Sequence, residues 1–238
     1  MHTRTHTGNG ILFAALAAAP FAYAAPPDFT ADLTATFATR YVTEGVDNDP
    51  DSSGYLFTEA TATLDVFTFG AMYAQSLRGS SFNEVNAFGG FGWETLGVAL
   101  FTGLNYLAFP ATGDPDEWEW FLGFEYETEP EILFFGEAYY GFDEINGGFI
   151  EAGAAYAVAA GDGFEVIPYA LLGTDFGYVS DSRRLRANNF QAGVHVEYAA
   201  APNAVLFAGA HHSFRLSNLR RAGEGDVSWL EAGVSVAF

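Results

Sequence analysis

The chain has 238 residues, half of them apolar, including 24 Phe and 12 Tyr, and carries 30 acidic against 9 basic side chains for a net charge of −21. That acidity repels nucleic acid, and the aromatic content is too high for a disordered acidic segment. No cysteine is present, which excludes both a disulfide framework and a thiolate metal site.

Residues 1–24 read as a secretory signal peptide. His2, Arg4 and His6 give a positive start, Ile11 to Ala19 is a short apolar run, and Ala22-Tyr23-Ala24 places small residues at the cleavage positions. The mature chain is expected to begin near Ala25 and to form one domain over residues 25–238. The apolar run is too short to cross a bilayer, and no later stretch is long enough for a transmembrane helix. A membrane-spanning form would have to cross with strands.

From Phe29 onward apolar and polar residues alternate, the period of a pleated strand. Twelve such segments are expected: Phe29 to Val46, Tyr55 to Asp65, Phe67 to Leu77, Phe82 to Glu94, Gly97 to Phe109, Glu117 to Glu127, Glu131 to Asp143, Gly148 to Val158, Phe164 to Phe176, Ala187 to Tyr198, Ala204 to Phe214 and Asp226 to Phe238. The sixth is the clearest, with Trp118, Trp120, Leu122, Phe124 and Tyr126 on one face and Glu117, Glu119, Glu125 and Glu127 on the other. Ionised carboxylates along one face do not suit the core of a soluble sandwich. Each segment is long enough to cross the hydrocarbon layer at barrel tilt, for which about 9–11 residues suffice.

Short connections such as Thr95-Leu96 alternate with longer polar ones at Asp47 to Gly54, Pro110 to Asp116, Gly177 to Arg186 and Arg215 to Gly225. Short periplasmic turns opposite long external loops characterise outer-membrane barrels. Aromatics fall where girdles are expected, with Trp93, Tyr126, Tyr156 and Tyr198 near the periplasmic side and Tyr106, Phe109 and Trp118 near the external side. The fold class expected is all-β, a transmembrane up-and-down antiparallel β-barrel of about twelve strands in the bacterial outer membrane. The last segment sets Leu230, Ala232, Val234, Val236 and Phe238 on one face. It resembles the terminal signal that such barrels present to their insertion machinery.

Four segments carry a family resemblance: Thr39 to Gly45 (TRYVTEG), Asn83 to Gly92 (NEVNAFGGFG), Leu104 to Pro110 (LNYLAFP) and Glu117 to Tyr126 (EWEWFLGFEY). In this order they resemble the proteobacterial TorF-type porin family, which implies an outer-membrane barrel and no particular solute. One position departs from the pattern: Glu44 stands where an Arg is expected before the Gly.

By parity the lumen is acidic, with Glu119, Glu125, Glu137, Glu151, Glu165, Asp175, Glu197 and Glu231 inward and only Arg40 and His195 as inward basic candidates. Fixed carboxylates in a channel favour cations. The same residues would also serve as struts filling a closed barrel. Arg40 is expected to neutralise Glu231 or Glu59 across the seam between the first and last strands.

Positive charge collects elsewhere: Arg183, Arg184, Arg186, Arg215, Arg220 and Arg221 fall in the last two long loops, forming an outer-rim cluster suited to lipopolysaccharide phosphate or an anionic solute. Asp47, Asp49 and Asp51 have calcium-loop spacing, but Ser52 and Thr58 replace the required Gly and acid. His211 and Ser213 share a face near the outer end of the eleventh strand and resemble the His-x-Ser element of lipid A deacylases, though Phe214 replaces the following Asn.

The reading is a non-enzymatic porin for passive diffusion of small solutes, weakly cation-preferring, without catalytic residues, metal or cofactor. Its expected partners are outer-membrane lipid, lipopolysaccharide, the insertion machinery and small solutes. The alternatives are a closed structural or lipopolysaccharide-binding barrel, or an esterase using His211 and Ser213.

Overall fold

A computed structural model describes residues 29–78, 81–128, 132–180 and 182–238. The signal-peptide expectation lies outside them. In chain order the elements are β1 (Phe29–Ala38), β2 (Val42–Thr43), β3 (Val46–Asp47), β4 (Tyr55–Leu64), β5 (Phe67–Ser76), β6 (Asn83–Thr95), β7 (Val98–Ala108) and β8 (Glu117–Thr128). They continue with β9 (Ile132–Gly141), β10 (Gly147–Tyr156), β11 (Val158–Gly161), β12 (Phe164–Phe176), β13 (Arg186–Ala201), β14 (Ala204–Arg215), α1 (Ser217–Ala222) and β15 (Val227–Ala237).

Twelve of these strands are antiparallel staves of one closed barrel, each bonded to its neighbours in sequence, with β15 returning to β1. At that seam Leu33 faces Val236 and Ala38 faces Glu231. The Phe238 amide extends the seam by donating to the Ala31 carbonyl at 2.8 Å. The short β11 continues β10 beyond Ala157 and pairs with the start of β12. Among the described residues closure gives every stave of the wall a neighbour on both sides, the condition for strands to lie in lipid.

Alternation sorts the side chains as the pleat requires. Leu33, Phe69, Leu104, Trp120, Ile150, Leu172, Leu206 and Leu230 all point outward and are exposed. So continuous an apolar belt far exceeds the few hundred Å² that soluble monomers expose, so its solvent is lipid. Among the described residues, no helix is long and apolar enough to cross a membrane. Trp93, Tyr126, Tyr156, Tyr198 and Trp118 face outward at the belt's margins. Tyr106 joins them, its ring 4.8 Å from that of Trp118. Phe109 does not: it turns into the external mouth, against Phe82.

Two of the periplasmic turns are tight and left-handed at both central residues. Leu96 and Gly97 have φ of 53° and 77°, and Asp162 and Gly163 have 46° and 84°, which matches the mirror-image turns that suit the twist of paired strands.

The first stave is shorter than the expected segment. β1 ends at Ala38 instead of reaching Val46, and the chain then leaves the wall to form the β2–β3 hairpin. Its turn, Glu44-Gly45, has φ of 49° and 76°. The last external loop carries an unforeseen short helix, α1, closed by Gly223 in the left-handed conformation at φ 88°.

Candidate functional site

The β2–β3 hairpin folds inside the barrel and reaches the opposite wall. Asn188 Nδ2 donates to the Glu44 carbonyl at 2.5 Å, and the Tyr139 hydroxyl donates to Glu44 Oε1 at 3.1 Å. Gly45 lies so close to Asn189 that a Cβ there would sit 2.6 Å from its side chain. At the hairpin's near end Tyr41 donates to Glu84 Oε2 at 2.6 Å, and Asn48 Nδ2 donates to Thr43 Oγ1 at 2.7 Å. Each neutral bond contributes only about 1 kcal/mol, so docking depends on several acting together.

Two aromatic clusters fill the space around the hairpin. Tyr41, Tyr55, Phe57 and Met72 pack beside its base, while Phe101, Phe121, Tyr139 and Phe149 form the facing group, joined by Tyr178. A hollow of about 370 Å³ remains at the mouth, lined by Glu44, Glu84, Glu117, Glu144, Tyr41 and Tyr178 among others. Burial raises the Glu44 carboxyl to about 7, and the negative charges of Glu84 and Asp175 push the same way against bonds from Thr43 and Tyr139.

Two further acids organise the rim. Asp175 accepts from the Tyr178 and Val179 amides at 2.8 and 2.7 Å, from Ser180 Oγ at 2.7 Å and from Asn218 Nδ2 at 3.0 Å. It thereby ties the loop after β12 to α1. Asn218 also donates to Asn188 Oδ1 at 2.8 Å, linking both loops to the residue that holds the hairpin. Glu117 accepts three amides of the loop after β9, those of Asp143, Glu144 and Ile145, at 3.0, 2.8 and 2.9 Å.

The lumen acids lie on the inward face. Glu119 accepts from Tyr178 and, at 3.1 Å, from Asn105. Glu137 and Glu151 are direct cross-strand partners on β9 and β10, both inward. Glu125 faces inward lower on β8, Glu197 is buried on β13, and Glu231 sits on β15 beside His195 and His211. Like charges directly opposite each other repel, so the Glu137–Glu151 pair is retained at a cost to the sheet.

Arg40 does not neutralise Glu231 or Glu59. It lies beyond the end of β1 and pairs with Asp47 of the hairpin, because the chain has left the wall before reaching it. All eight described arginines stand at the external end: Arg40, Arg78, Arg183, Arg184, Arg186, Arg215, Arg220 and Arg221. Within the rim group Arg215 contacts Asp226 at 3.8 Å and donates to the Glu224 carbonyl at 2.5 Å, while Arg183 folds against Gly177. Asp49 accepts from Tyr55 and Asp47 pairs with Arg40, so the acidic loop is tied up in side-chain bonds of its own.

His211 and Ser213 do not form a nucleophilic pair at the lipid face. Both point into the lumen and are buried, His211 Nδ1 is engaged with the Tyr169 hydroxyl at 2.7 Å, and Ser213 Oγ has no hydrogen-bond partner. A hydroxyl not bonded to its base is not activated, and lipid does not reach it.

No known family profile matches the sequence, and no curated protein does. Solved structures do match. The KdgM porin aligns with a TM-score of 0.59 at 8% identity over 88% of this chain and 99% of its own. The KdgM porin in complex with disordered oligogalacturonate gives 0.58 at 9% over the same shares, and the NanC porin gives 0.52 at 8% over 87% and 98%. At such identities the likeness establishes the fold alone, a closed twelve-stranded antiparallel barrel.

Proposed function

We propose that this protein is a passive outer-membrane channel for small neutral or cationic solutes, with a mouth narrowed by its own hairpin. The observation that carries this is the distribution of fixed charge. The inner wall presents carboxylates from Glu84 and Glu119 at the mouth through Glu137, Glu151 and Glu231 to Glu125 and Glu197 below, whereas the described arginines stay at the external end. A wall of one sign raises the local concentration of counter-ions and repels co-ions.

Oligogalacturonate, found with the KdgM porin, is an acidic polymer. It would be repelled by this wall, so the shared fold is read here as carrying a different solute class. The four ordered sequence segments support a place near the TorF-type porins, and the leader at residues 1–24 supports export to the outer membrane.

Planar-bilayer recording of the folded protein in a salt gradient tests the reading. The expected result is discrete conductance with a cation-selective reversal potential; a silent barrel or an anion-selective one rejects it. The second reading, a closed structural barrel, is favoured by one observation, the hairpin's docking across the lumen. Silence in the native chain together with conductance after hairpin deletion would establish that second reading.

A further inference from the structure

We propose that His195, His211 and Glu231 form a binding site for a divalent transition-metal ion such as zinc in the lumen wall. The three come from neighbouring strands β13, β14 and β15, and their nearest ligand atoms lie within 4.8 Å of one another. Glu231 Oε1 is 3.6 Å from His195 Nε2 and 3.7 Å from His211 Nε2. Ligands bonded at about 2.0–2.2 Å in a tetrahedral site stand roughly 3.4 Å apart, so small side-chain rotations complete the site. Two imidazoles and one carboxylate are a donor set for zinc and its neighbours, while calcium and magnesium prefer all-oxygen shells.

The register explains the convergence. His195 and Glu231 both lie opposite Gly209, one on each side, and His211 lies two residues along the same face. A Cβ on Gly209 would be 2.4 Å from His211 Nε2 and 3.0 Å from His195 Cε1, so only glycine leaves room for the two rings to meet. Gly193 does the same behind His211, where a Cβ would be 2.7 Å from Nδ1.

The nitrogens are unsatisfied toward this point. His195 and His211 are only 3% and 4% exposed, yet neither ring nitrogen of His195, nor Nε2 of His211, has a hydrogen-bond partner. Buried polar atoms are ordinarily bonded. The other side of His211 is already oriented as metal-binding imidazoles are: its Nδ1 lies 2.7 Å from the Tyr169 hydroxyl, which is held in turn by Gln191 Nε2 at 2.7 Å. With its proton on Nδ1, His211 offers the Nε2 lone pair to the ion. Three protein ligands leave a fourth position open to the lumen.

The test is zinc titration of the tag-free, chelator-treated folded protein by calorimetry, with heat-modified gel migration confirming the barrel. One equivalent is expected to bind, unaffected by a hundredfold excess of magnesium. Binding should weaken tenfold or more in His195→Gln, His211→Gln and Glu231→Gln, and stay unchanged in His212→Gln, whose ring lies on the other face against Ser228. X-ray absorption of the zinc-loaded wild type supplies a reading independent of any variant, and two imidazole ligands are expected. Absence of stoichiometric binding, fewer than two imidazoles, or a loss confined to His212→Gln would overturn the site.

Discussion

The external and periplasmic halves of this barrel share one sheet but solve opposite problems. In the external half the interior is largely filled: the hairpin, two aromatic clusters and the Asp175 network surround the hollow beside Glu44. In the periplasmic half many inward positions are small or polar, such as Thr30, Thr34, Thr61, Thr63, Gly90, Gly153, Ser235 and Ala237, none of these eight is fully buried, and the bulky inward side chains are scattered ones such as Phe101, Phe135 and Phe207. A twelve-stranded wall is wide enough to need internal packing if it is to be narrow. The contrast teaches that bore is set by what is folded into the mouth, while the strands set only its upper limit.

The strongest way to break that comparison is to remove the filling. Replacing residues 40–47 by a short Gly-Ser link should raise single-channel conductance several-fold; an unchanged value would mean the constriction lies elsewhere. Next, Glu137→Gln with Glu151→Gln removes the adjacent carboxylates below the hairpin. The cation-to-anion permeability ratio should fall by about two- to threefold, read from reversal potentials, while conductance without a gradient changes little.

A third prediction uses pH. Glu44 titrates near 7 in its docked position against an ordinary 4.5, raised chiefly by burial. The site faces Glu84, Glu119, Glu151 and Asp175, with Tyr139 and Thr43 supplying bonds. A carboxyl raised on docking favours the docked state below 4.5 and loses that contribution as pH climbs through about 7. Closed dwell times should therefore lengthen from pH 8 to pH 5, and Glu44→Gln should remove that dependence.

Smaller effects belong to the rim. Asp175→Asn forfeits part of its fourfold acceptance, destabilising the rim by roughly 1–3 kcal/mol and exposing the loop after β12 to limited proteolysis. Smallest is the change expected from Arg215, Arg220 and Arg221 together replaced by Gln. It should lower lipopolysaccharide retention during purification modestly and leave conductance intact.

The wall was legible in the sequence because lipid on one side and water on the other impose the period of two, and β8 keeps the buried-exposed alternation from Glu117 to Tyr126. Inward acids such as Glu119 and Glu137 follow from the same parity. The plug was not legible. Residues 39–46 in fact break the period of two, with Tyr41 and Val42 adjacent between the polar pairs Thr39-Arg40 and Thr43-Glu44, but a lapse in period does not say that the chain turns into the barrel. A second local signal was Glu44-Gly45, a pair with Gly at the second central position of a mirror-image turn. Its partners Tyr139 and Asn188 lie 95 and 144 residues away, beyond any local pattern. The pairing of Arg40 with Asp47 followed from that same missed turn, as did its absence from the seam.

The bond from Asn188 to the Glu44 carbonyl also sets an order of events in assembly. Its two ends are brought together only when the intervening staves have curled round, so the entropy of closing so long a loop is met by strand pairing first. Until that moment the hairpin has no wall to rest on. The lumen of the newly closed barrel is therefore more open than that of the finished one, and arrival of the hairpin reports that the ring has been completed.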